Sequence, residues 1–139
     1  MYRDIGEYLS EHGEVLAAPL GGSMRPLLKG DKCQVLLVKP QGLLKKFDVV
    51  LYRGKAGKLV LHRLINVRDN TFVACGDNTY SFEPGICREQ ILGVMSGFYR
   101  KDSYVPVSDW RYQCYTKIWW FIFPLRKACW RIYRYIKGK

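Results

Sequence analysis

The stretch DVVLYRGKAGKLVLHRLIN, residues 48–66, decides the fold class. Its two halves, 48–53 and 58–66, are rich in Val, Leu and Ile, whose branched side chains pack well on a pleated surface. Between them, Gly54-Lys55-Ala56-Gly57 is a short, glycine-rich connection of the kind that closes a hairpin. Outward from this hairpin, CQVLLVK at 33–39, TFVAC at 71–75 and ILGVMSGFY at 91–99 repeat the same signal between turn residues. Residues 4–12, from Asp4 to His12, predict one short amphipathic helix ended by Gly13, and a first extended piece follows at Glu14 to Pro19. The expected fold is mainly β: an antiparallel domain with a short N-terminal helix and a C-terminal amphipathic helical segment.

Composition narrows the function classes. The chain has 139 residues with 48% hydrophobic and 14% aromatic side chains, enough to bury a core, so it is not a disordered basic tail. That length is short for a multidomain enzyme, and no run approaches the roughly 18–20 apolar residues that span a bilayer. Cys33, Cys75, Cys87, Cys114 and Cys129 are odd in number and contain no C-x-x-C pair, which argues against both a zinc site and a disulfide scaffold. No metal and no cofactor is expected. The acidic residues Asp4, Glu7, Glu11 and Glu14 stand where an export signal would need a basic start and an apolar stretch. The expected location is therefore a reducing one, cytoplasmic or peripheral on the cytoplasmic membrane.

Three local patterns supply a serine, a histidine and an aspartate: Gly21-Gly22-Ser23-Met24-Arg25-Pro26 followed by Gly30-Asp31, then Leu61-His62-Arg63-Leu64-Ile65, then Gly76-Asp77-Asn78. A serine hydroxyl is a weak nucleophile at neutral pH and needs a base, which in turn needs an orienting group. Glycines before Ser23 allow a tight turn and close approach of a substrate, and N–H groups there can face an oxyanion. Pro26 keeps the segment from continuing as a strand, so Ser23 falls on a loop. Of the two histidines, His12 belongs to the acidic helix and His62 to a strand. Alternation puts Val60, His62 and Leu64 on one face and Leu59, Leu61 and Arg63 on the other. Taken singly, each pattern is ordinary: a loop serine, a half-buried strand histidine, a common turn.

Taken in order, these boxes and Phe-Asp-Val-Val-Leu-Tyr at 47–52 resemble the successive boxes of the signal peptidase I superfamily, over about Glu14 to Gly97. With histidine at the base position, the chain is similar to the Ser-His, endoplasmic-reticulum and archaeal branch. The resemblance implies Ser23 as nucleophile, His62 as general base and Asp77 as acidic partner. It points to Gly22, Ser23 and Met24 as the oxyanion and substrate-binding segment. Glu83 stands where that branch often carries a second acidic residue, six positions after the aspartate. Gly21 replaces a serine that assists the oxyanion hole in many signal peptidases. The implied activity is acyl transfer in a serine endopeptidase that processes leader or precursor peptides, the partner being the peptide or protein precursor. Signal peptidases usually carry a membrane span near the N-terminus, and this chain has none, which separates it from export-pathway processing. The alternative is a non-catalytic peptidase-like domain that binds a peptide or partner protein.

Charge divides the chain at about residue 108. From Asp109 to Lys139 there are eight basic residues and one acidic one, with all four tryptophans and ten of the twenty aromatic residues. The expected organisation is a catalytic domain at 1–108 and a basic aromatic segment at 109–139. Leu125, Cys129, Ile132 and Ile136 recur at helical spacing while Lys127, Arg131 and Arg134 share another face. Pro124 should break or kink the helix. The pattern fits peripheral membrane contact through 110–136. Packing on the β-domain or on a partner protein competes with that reading, and nucleic acid ranks last because no recognition motif accompanies the charge.

Overall fold

The computed structural model describes residues 5–19, 22–29 and 33–138. Two compact units appear, Met1–Val107 and Ser108–Lys139. The first opens with helix α1 (Ile5–His12), which Gly13 ends in the left-handed conformation at φ +85°. Eight strands follow: β1 (Glu14–Ala17), β2 (Cys33–Val38), β3 (Val49–Arg53), β4 (Leu59–Arg68), β5 (Thr71–Cys75), β6 (Glu83–Cys87), β7 (Ile91–Arg100) and β8 (Ser103–Pro106). They form one sheet in the order β1-β2-β7-β3-β4-β5-β6, with β8 paired to β7, and every pairing is antiparallel.

The hairpin 48–66 forms as read. Gly54 N–H donates to the Lys58 carbonyl at 2.8 Å, and β3 then pairs with β4 from Arg53↔Leu59 to Val49↔Arg63. The first four residues of β3 are all buried, so both faces of the sheet are covered there. On one face Leu44, Val50, Tyr52, Leu64, Phe72, Ala74, Ile86 and Ile91 form a continuous buried cluster. Each such aliphatic or aromatic side chain contributes about 1.5–3 kcal/mol on burial. The predicted start of α1 at Asp4 lies outside the described residues.

Two strands fall outside the sequence-based expectation. β6 contains Pro84 and Gly85, which weaken any strand signal, and it is an edge strand paired only with β5. β8 is four residues long and pairs with β7 alone. Edge strands make half the ladder bonds of central ones, so they tolerate poor β-formers.

The second unit holds α2 (Trp110–Phe121) and α3 (Phe123–Lys137). Asp109 caps α2, accepting from the Arg111 N–H at 2.8 Å. The expected C-terminal helical segment is thus present as two helices. Pro124 does break the run, but as a start: it sits in the first turn of α3, where its missing N–H costs nothing. Ile122 is the single residue between the helices.

Candidate active site

The Gly76-Asp77-Asn78 turn after β5 carries the segment that holds Ser23. Asn78 N–H donates to the Ser23 carbonyl at 2.8 Å, and Asn78 Nδ2 donates to the Gly22 carbonyl at 3.2 Å. Asp77 N–H points to Met24 Sδ at 3.4 Å. The turn itself is closed by Thr79, whose N–H donates to the Gly76 carbonyl at 3.1 Å while its Oγ1 accepts from Gly76 N–H at 3.0 Å. Each residue type in the turn therefore has a separate structural reason.

Glycine at 76 is required by close approach on two sides. A Cβ there would lie 2.6 Å from the Ser23 carbonyl oxygen and 3.0 Å from His62 Nε2. Real Cβ atoms do not come that near a backbone oxygen. The Ser23 carbonyl and the His62 ring, thirty-nine positions apart in sequence, thus crowd the same side of Gly76. Among the described residues no hydrogen bond joins the Ser23 hydroxyl to His62.

His62 is only partly exposed, and burial lowers its proton affinity below the ordinary value of 6.5. The carboxylates of Glu83 and, less strongly, Asp77 act in the opposite direction. Its Nδ1 is buried with no hydrogen-bond partner. Such an atom usually costs about 1–3 kcal/mol. Burial thus favours the neutral imidazole, the form that can accept a proton.

Asp77 and Glu83 occupy different settings. Asp77 is fully buried, and its Oδ1 and Oδ2 accept from Arg63 Nε at 2.8 Å and Nη2 at 2.9 Å. Arg63, also fully buried, donates through Nη1 to the Phe47 carbonyl at 3.0 Å. Arg63 thus ties β4 to the Gly-Asp-Asn turn and to Phe47, two residues before β3. Glu83, at the start of β6, is half-buried and accepts from the Tyr52 hydroxyl at 2.7 Å through Oε1. The Tyr52 ring meets the His62 ring edge-on with centroids 6.3 Å apart. Burial, reinforced by Glu83, pushes the Tyr52 hydroxyl well above its ordinary range, so it stays a donor.

Of the expected substrate-binding residues, Gly22 is exposed and Ser23 partly exposed. Met24 is buried as a whole under the turn. Gly21 and the Gly30-Asp31 pair lie outside the described residues. The roles of Arg63 and Tyr52 were not read from sequence. A hint existed for Arg63: a cation flanked by apolar strand residues needs an anionic partner. Among the described residues, no group of three or more His, Cys, Asp or Glu side chains is placed to hold a metal ion.

A small apolar cavity of about 40 Å³ is lined by Ala17, Ala18, Leu59 and Leu61 together with residues of α1, β2 and β3. Leu61 adjoins His62 in β4, and Ala18 precedes Ser23 by five positions. Comparison of the chain with protein-family models, with curated proteins and with solved structures finds no match to any of them.

Proposed function

We propose that this protein is a serine endopeptidase of the signal peptidase type that cleaves extended leader or precursor peptides. The observation that carries the reading is the approach of the Ser23 carbonyl and His62 Nε2 to within 3.0 Å of a single point above Gly76. The order of sequence boxes supports it independently.

In this reading Ser23 Oγ attacks the scissile carbonyl and its proton passes to His62 Nε2. The C–O bond forms as the carbonyl oxygen becomes an oxyanion, facing main-chain N–H groups of the Gly22–Met24 segment. Collapse breaks the C–N bond, and Nε2 returns the proton to the leaving amine. Water, deprotonated by the same nitrogen, then releases the acyl group and restores the hydroxyl. In this reading Glu83, held by the Tyr52 hydroxyl through Oε1, is the acid whose charge favours the imidazolium as it forms. Asp77, locked by Arg63, keeps the Gly76–Asn78 turn and hence Ser23 in place.

β1 is an edge strand whose free side can take an extended peptide by β-addition. Peptides with small residues before the cut are the expected class.

A second reading, a peptide-binding domain without turnover, is favoured by the missing Ser23–His62 hydrogen bond and the unpartnered Nδ1. Incubating the purified full chain with peptide libraries and reading products by mass spectrometry separates the two. The peptidase reading expects cleavage after small residues that disappears in Ser23→Ala. Binding without cleavage in both proteins would assign the chain to the second reading.

A further inference from the structure

Most amphipathic helices of folded proteins turn the apolar face inward. In α3 that face is not covered: from Arg131 to Gly138 every residue is exposed. Its interior contact is a cation: Arg126 is only 9% exposed, with its guanidinium 3.9 Å over the Trp119 ring, also near the rings of Trp120 and Phe123, and donating to the Trp119 carbonyl. The apolar stripe Leu125, Cys129, Ile132 and Ile136 faces solvent along its whole length, with Leu125, Ile132 and Ile136 each more than half exposed. α2 does the same with Trp110, Cys114, Ile118 and Phe121, of which Phe121 is 86% exposed. Eight of the twelve large exposed hydrophobic residues among the described residues lie in these two helices.

Charge decides what covers such a face. Between Trp110 and Gly138 there is no acidic residue, while Arg111, Lys117, Lys127, Arg131, Arg134 and Lys137 supply cations beside the stripes. A second copy would bring like charge against like. Neither helix is long and apolar enough to cross a membrane, and α3, with fifteen residues, is about 22 Å long against about 30 Å of hydrocarbon. Aromatic residues at the level of the headgroups, aliphatic residues at the acyl boundary and cations beside anionic lipid are what hold an interfacial helix.

We propose that the helical unit 108–139 docks the chain on an anionic lipid surface, with the Leu125-Cys129-Ile132-Ile136 stripe of α3 entering the acyl boundary and Lys127, Arg131 and Arg134 meeting the headgroups. This inference is independent of the peptidase reading, because none of its residues belongs to the candidate active site.

The test is flotation of the full chain with vesicles of phosphatidylcholine alone or with one-third phosphatidylglycerol. The wild-type protein floats with the anionic vesicles, weakly with the neutral ones, and less as salt rises. Ile132→Glu with Ile136→Glu, both on the exposed face, lowers the partition coefficient at least about ten-fold at unchanged thermal stability. Removing Lys127 and Arg131 as glutamines costs about five-fold per charge. Protein that stays in the soluble fraction at every composition overturns the proposal, as does flotation unchanged by the double glutamate variant. A concentration-dependent dimer abolished by those glutamates without vesicle binding, or a salt-sensitive nucleic-acid shift without vesicle binding, overturns it in favour of that occupant.

Discussion

Arg63 Nε and Asp77 Oδ1 lie 2.8 Å apart with both side chains wholly inside the protein. An ion pair at such depth gains little over an apolar replacement, but losing one partner strands a buried charge. Asp77→Ala should therefore destabilise the β unit by about 3–5 kcal/mol. The shift is readable as a lowered urea midpoint at unchanged slope. Arg63→Met combined with Asp77→Leu should recover much of the loss. A single Asp77→Ala with wild-type stability would show that the pair does not organise the turn.

Gly76 tests the convergence of Ser23 and His62. In Gly76→Ala the methyl group meets a backbone oxygen at 2.6 Å and an imidazole nitrogen at 3.0 Å, so the Ser23 segment or His62 must move. A displacement of about 1 Å at a reacting centre costs on the order of 10²-fold in rate. The expected result is a fall in kcat of at least that size in a chain that still folds, checked by circular dichroism beside the peptide assay. Full activity would mean the two groups do not act across Gly76.

The pH dependence follows from His62. Burial holds its imidazole below 6.5, so the neutral base persists through pH 7 and kcat/KM falls only as pH drops through that lowered value. Glu83 is the strongest charge opposing that shift. Glu83→Gln should move the acidic limb to still lower pH while lowering the plateau by at least about 10²-fold, the loss expected when a base is no longer oriented. A limb that moves upward, or a plateau left intact, contradicts the role given to Glu83.

Stability reports the same group. Between the lowered folded value and 6.5 the unfolded chain binds the extra proton, so stability rises with pH across that window and is lost as pH falls through it. His62→Gln should flatten this part of the profile in denaturant titrations. An unchanged slope would place His62 in water.

Tyr52 separates orientation from mere packing. Tyr52→Phe removes the hydroxyl that holds Glu83 at 2.7 Å and leaves the ring against the core. The expected outcome is a loss of about 0.5–1.5 kcal/mol in stability with a larger proportional fall in kcat than in KM. Equal kcat in the two proteins would reduce Tyr52 to a core residue.

Much of the sheet was legible because β2, β3, β4, β5 and β7 are dense in Val, Leu and Ile and bounded by turn residues, and local propensity there agrees with burial. β6 and β8 were not: Pro84 and Gly85 weaken the signal in β6, and β8 is only four residues long, each held by pairing with the strand just before it. Ser23, His62 and Asp77 were recognisable as residue types in an order, yet order alone does not say which carboxylate serves the imidazole. The tertiary structure pairs Asp77 with Arg63 and Glu83 with Tyr52, whose ring meets the His62 ring edge-on. The outward apolar stripe of α3 was visible as a period of helical spacing. That the stripe stays exposed, and that Arg126 settles on three aromatic rings, are features of the tertiary structure that no periodicity encodes.

The central claim is that Ser23 is a nucleophile activated by His62. Treating the native chain with a serine-directed fluorophosphonate and locating the adduct by mass spectrometry tests it most directly. The account predicts one adduct, on Ser23, absent in Ser23→Ala and slowed by at least about 10³-fold in His62→Ala. An unlabelled wild-type protein, or labelling that His62→Ala leaves unchanged, would contradict it.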